Sequence, residues 1–160
     1  MYIMGIDPTA NSADPEHALG TLGANVTDDG VKIYVYGQAD GSGVTANRVV
    51  LIESGYAFDM LDTTNSAPGT GQGLPVGVCN AALTADYYGW AQIYGPANVR
   101  VAANAAKGTQ LNSTGTAGQI DDDATAGSEA VDGIGLLAAG PGSNGNGSGF
   151  LDFPHVGRTL

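Results

Sequence analysis

Tyr87-Tyr88-Gly89-Trp90-Ala91-Gln92-Ile93-Tyr94-Gly95 gathers three of the seven tyrosines and the only tryptophan into one run that ends on a glycine. Aromatic and β-branched side chains suit the pleated, half-buried surface of a strand. Side chains alternate along a strand, so Tyr88, Trp90 and Tyr94 share one face. The run therefore reads as a β-strand carrying large flat side chains. It offers surface and shape rather than the parts of a catalyst.

The same rhythm extends to both sides. Val31, Ile33 and Val35 alternate with Lys32, Tyr34 and Tyr36, and after the turn residues Asp40-Gly41-Ser42-Gly43 comes the β-branched run Arg48 to Ile52. Further strand-like segments are Leu74 to Cys79, Asn98 to Val101, Val131 to Ala138 and Phe150 to Phe153. Clusters of Gly, Ser, Asn, Asp and Pro separate them, and the longest, Ser66 to Gly73 and Gly140 to Gly149, read as mobile loops. The best helix candidate, Ala102 to Lys107, spans only about one and a half turns. Short strands with frequent turns predict an all-β fold, a single small antiparallel barrel or sandwich. Residues 1–18, with Pro8 and Pro15 and no apolar period, predict an extended N-terminal arm on a β-rich domain of residues 19–160.

Composition bounds the function. With 160 residues and 42% hydrophobic content, the chain suits one domain with a real core. Its 26 glycines are more than double ordinary usage, and charged residues at 13% are about half of it. A net charge of -11 repels phosphate backbones and anionic membranes, so neither nucleic acid nor a membrane is an expected partner. No apolar stretch approaches the ~20 residues of a spanning helix, and no basic start precedes an apolar run. Synthesis as a soluble protein in the cytoplasm is the expectation.

Chemistry-bearing patterns are sparse. Cys79 is the only cysteine, which rules out an intramolecular disulfide, and its apolar setting predicts a buried, inert thiol. His17 and His155 lie far apart in sequence, and neither an HExxH nor a GxSxG pattern occurs. Asp121-Asp122-Asp123 is the densest charge run, but it lacks the EF-hand spacing and reads as a solvated turn. Gly140, Gly142 and Gly145 match GxGxxG without the βαβ context that the motif requires. The sequence predicts no enzyme, no catalytic or metal-ligating residue and no cofactor.

Read in order, LGT (19–21), VKIYVYGQADGSGVTANRVVLI (31–52), LPVGVCNAAL (74–83), YYGWAQIYGPANVRV (87–101), TAGQIDDDAT (116–125) and VDGIGLLAA (131–139) resemble the head decoration, or capsid cement, proteins of tailed bacteriophages. The resemblance covers roughly residues 19–157, and its most specific parts are the YYGW strand and the TAG segment with its acidic run. It implies a β-rich structural virion protein on the outer capsid surface. Its implied partner is the major capsid protein, its implied assembly a homotrimer, and its implied task the strengthening of the capsid lattice. The alternative is a carbohydrate- or receptor-binding virion surface module, for which an exposed aromatic face and glycine-rich loops would supply the contacts. Candidate subunit or capsid contacts are Tyr88, Trp90 and Tyr94 on the aromatic strand, and Tyr2, Ile3, Met4 and Ile6 at the tip of the arm. An arm that hooks a neighbour through these residues predicts that deleting residues 1–18 leaves the body folded.

Overall fold

The structure, a computed structural model, describes residues 2–159. Strands make up 49% of the chain and helix 2%, so the fold is nearly all-β. In chain order the strands are β1 (Tyr2–Met4), β2 (Leu22–Thr27), β3 (Gly30–Ala39), β4 (Arg48–Ile52), β5 (Ala57–Met60) and β6 (Val76–Cys79). There follow β7 (Tyr88–Val101), β8 (Leu111–Ser113), β9 (Ile120–Asp121), β10 (Glu129–Leu136) and β11 (Gly145–Thr159). A single 3₁₀ turn, Ser54–Tyr56, precedes β5.

All eleven strands belong to one sheet, organised around β7. The first half of β7 pairs antiparallel with β3, from Gln38↔Tyr88 to Ile33↔Tyr94, and the second half pairs with β11, from Asp152↔Tyr94 to Gly145↔Val101. The change of partner falls at Tyr94, just before Gly95-Pro96. Gly95 adopts φ +94, a conformation open to glycine, and a β-carbon there would collide with the Val31 carbonyl oxygen. The buried Gln92 side chain braces the bend, donating to the carbonyls of Tyr94 (3.0 Å) and Pro96 (2.9 Å).

Pairings close two circuits on β7, one through β3, β5, β4 and β6, the other through β11, β10, β8 and β9. Each circuit is joined to β7 at one point by a single residue pair, Val78↔Gln92 or Val101↔Ile120. The sheet is thus one large folded surface and not a clean barrel.

Two apolar clusters lie on opposite faces of β4 and β6. Val50, Ile52 and Cys79 pack with Val35, Phe58 and Ala91, while Val49, Leu51, Val76 and Val78 pack with Val99, Leu111, Ile134 and Leu151. Burial on both faces is why Arg48 to Ile52 reads as a continuous apolar run after its first residue.

Three sequence expectations change. Residues 102–107 form turns rather than a helix, because Asn104 sits in the left-handed region at φ 63. The second half of the Gly140 to Gly149 loop is the start of β11. Gly147 and Gly149 fit closely against β7, a β-carbon at Gly149 lying 3.1 Å from Val99 Cγ2. The two segments Tyr87 to Tyr94 and Asn98 to Val101 merge into one strand, Tyr88–Val101. No helix among the described residues is long and apolar enough to cross a membrane.

Candidate interaction surface

The aromatic strand is covered by its own chain. Tyr34, Tyr36 and Trp90 form a third cluster, over which Ile6, Ala10 and Tyr88 pack. His17 adds its ring at 5.1 Å from Tyr36 and 5.3 Å from Trp90. Residues 5–17 thus cross the cluster as a strap, and polar bonds hold it in place. Ser12 and Tyr88 exchange both backbone hydrogen bonds (3.1 and 2.8 Å). The Glu16 N–H donates to the Tyr36 hydroxyl (3.0 Å), the Thr84 N–H donates to Asn11 Oδ1 (3.0 Å), and Asn25 Nδ2 donates to the Ile6 carbonyl (3.0 Å). Burial pushes the Tyr34 hydroxyl above its ordinary pKa, an effect that the Asn80 side chain opposes.

Several candidate contacts therefore move from surface to core. Trp90 is only 2% exposed and lies beneath the strap, so it is not a surface contact of this chain. Ile6 is half-buried against the same cluster rather than free at the tip of an arm. Tyr88 is half-buried and stacks on Tyr36 at 6.4 Å. Tyr94 lies past the strap and packs against Phe150 (5.5 Å) and the exposed Phe153 (5.4 Å).

Residues before the strap behave differently. β1 pairs in parallel with β2, Tyr2↔Leu22 to Met4↔Ala24, and forms one edge of the sheet. Strand alternation sends Ile3 towards the Gly23 and Tyr34 side, and Tyr2 and Met4 to the other. On that other face Tyr2, Met4, Ala24, Val26, Val31 and Ile33 line an apolar groove of about 240 Å³. Tyr2 is 47%, Met4 63% and Val26 72% exposed. Leu22, next along the same row, packs into the Val35 and Phe58 cluster. The groove is thus an outward continuation of the core face that no other element among the described residues covers. Large exposed apolar patches on soluble proteins mark interaction sites.

Of the sequence candidates, Tyr2 and Met4 meet here, Ile3 lies on the same strand pointing away, and the others lie elsewhere. Ala24, Val26, Val31 and Ile33 were not singled out as contacts. Their signal is the pair of valines flanking the Thr27-Asp28-Asp29-Gly30 turn, where a hairpin end ordinarily carries polar residues. Leu137, Phe150 and Phe153 were missed as well.

Titratable groups are dispersed. Cys79 is fully buried, which pushes its thiol pKa up and suppresses the reactive thiolate. His17 packs on the aromatic strap, and His155 faces Asp132 at 3.7 Å. Asp121 ends β9 with Asp122 and Asp123 in the bend beyond it, and among the described residues no group of three potential ligands could hold a metal ion. No protein-family model matches the chain, and no curated protein matches it.

Proposed function

We propose that this protein is a structural virion module that binds the outer surface of a phage capsid and stabilises the lattice of the major capsid protein, with the β1–β2–β3 groove as its docking face. The observation that carries the reading is the exposed row Tyr2, Met4, Val26 and Val31 beside the edge strand β1. An edge strand can extend a neighbour's sheet, and an apolar row beside it adds non-directional burial. The resemblance of the segment order to that of decoration proteins supports the partner. Homotrimeric assembly is part of the proposal, since three weak contacts on a symmetric lattice act together.

Cryo-electron microscopy of the parent virion tests it directly. Density for this chain on the outer shell, with the β1 end turned towards the capsid, is expected. A shell without it would overturn the proposal. The second reading, a carbohydrate- or receptor-binding surface module, is favoured by exposed Phe153 beside Tyr94, an aromatic platform of the kind on which sugar rings stack. Binding on a glycan array that disappears in Phe153→Ala would move the assignment there.

A further inference from the structure

Arg48 and Arg100 are two of the five basic residues on a chain with sixteen acidic ones, yet they are held beside each other. The Arg100 N–H donates to the Asn47 carbonyl (2.9 Å), which brings β7 alongside the start of β4. Val49, Val99 and Val101 point into one apolar cluster, so alternation turns Arg48 and Arg100 away from it. The Arg48 stem lies across Gly118, where a β-carbon would sit 2.6 Å from its Cβ, and its Nη1 donates to the Ala117 carbonyl (3.1 Å). Asn146 stands opposite Arg100 on β11.

The pair is uncompensated. Among the described residues neither guanidinium forms an ion pair with a carboxylate, and Arg100 Nε is buried without a hydrogen-bond partner. Burial, with the nearby Arg100 charge, also lowers the Arg48 pKa. Adjacent like charges repel, and a desolvated donor without an acceptor is costly. An anion arriving from outside would relieve both. The planar guanidinium fork matches carboxylate and phosphate equally well. The strongly negative chain opposes a doubly charged phosphate more than a single carboxylate.

We propose that Arg48 and Arg100, with Asn146 beside them, form a carboxylate-binding site. Its ligand is either an acidic side chain of a partner protein or a small free carboxylate. The site is separate from the β1–β2–β3 groove, so its test is independent of capsid binding.

The test follows the Nε–H resonances of the three arginines by NMR in the full chain, with Arg158 as the internal control. Acetate, an end-blocked peptide with a single aspartate, and inorganic phosphate are titrated at constant ionic strength. Saturable shifts at Arg48 and Arg100 with acetate or the peptide, and none at Arg158, are expected. Arg100→Gln should weaken binding about tenfold or more, the loss of one charge-assisted hydrogen bond, while Arg158→Gln leaves it unchanged. Tighter binding of the peptide identifies a protein partner, and equal or tighter binding of acetate identifies a small ligand. Non-saturating shifts shared by all three arginines, saturation by phosphate alone, or unaltered binding in a folded Arg100→Gln variant would overturn the site.

Discussion

Ile6 and Trp90 meet over Gly23: a β-carbon on that glycine would lie 2.8 Å from Ile6 Cγ2 and 2.9 Å from Trp90 Cζ3. The strap reaches the aromatic cluster only because β2 carries no side chain at this point. Gly23→Ala should therefore lift Ile6 off the indole or push β2 outward, at a cost of about 1–3 kcal/mol, as overpacking does. Urea unfolding followed by Trp fluorescence measures it. A variant as stable as wild type would show that the strap yields freely.

Truncation gives a related outcome. Residues 5–17 cover Trp90, Tyr36 and Tyr34, so deleting residues 1–18 should destabilise the body and shift Trp emission to longer wavelength. This differs from the behaviour of a free arm, whose loss leaves the body unchanged. Ile6→Ala, which removes one part-buried side chain, should produce a milder form of the same shift at about 1–2 kcal/mol. Unaltered emission in the truncated protein would place the strap's contribution near zero.

Gly95 is the position in β7 least able to accept a side chain. Its φ of +94 disfavours any other residue, and the Val31 carbonyl occupies the space of a β-carbon. Gly95→Ala should cost more than about 3 kcal/mol, beyond the range of ordinary surface changes, because strain and collision coincide. Thermal unfolding of Gly95→Ala beside the control Gly41→Ala, whose glycine has φ outside the left-handed region and open space around it, separates strain from general glycine loss.

How much of this was legible in the sequence depends on what each residue's neighbours are. Alternation and turn residues located β3, β4 and β7, since those signals are local. The joining of Tyr87 to Tyr94 with Asn98 to Val101 was hidden by Gly95-Pro96, which reads as a break and acts as a bend between two pairing partners. Gly147 and Gly149 read as loop because strand propensity omits the case in which β7 side chains leave little room for a β-carbon. Burial of Trp90 was illegible for a similar reason. A flat aromatic run predicts a face, but only the path of residues 5–17 decides what covers it. At the groove, Tyr2 and Met4 were visible as an apolar tip, whereas Val26 and Val31 join them through a parallel pairing of β1 with β2 that no local pattern encodes.

Asp121 supplies a pH dependence. Burial raises its pKa, against the opposing hydrogen bonds from the Asp122 and Asp123 amides. A carboxyl whose folded-state pKa is raised binds a proton more tightly in the folded chain than in the unfolded one. Its contribution to stability thus falls as pH climbs from the ordinary carboxylate range through the raised value, and stays lost above it. Asp121→Asn, which keeps one acceptor oxygen, should raise the melting temperature relative to wild type at pH 7 and lose that advantage near pH 3. A constant difference between the two melts across this range would assign the effect to packing instead.

The exposed end of the β1–β2–β3 sheet separates stability from binding. Val26 is 72% and Met4 63% exposed, so neither side chain supports the fold strongly in the isolated chain. Val26→Lys and Met4→Lys should each change unfolding free energy by no more than about 0.5 kcal/mol, the range of ordinary surface substitutions. If this face docks on the capsid, each lysine must be desolvated on binding, and the double variant should reduce co-sedimentation with capsids at least about tenfold, equivalent to about 1.4 kcal/mol. Phe153→Lys, on the aromatic platform that Tyr94 joins, is the control that should leave capsid binding intact. Retention of the Val26/Met4 double variant together with release of Phe153→Lys would transfer the docking face to the Tyr94, Phe150 and Phe153 cluster.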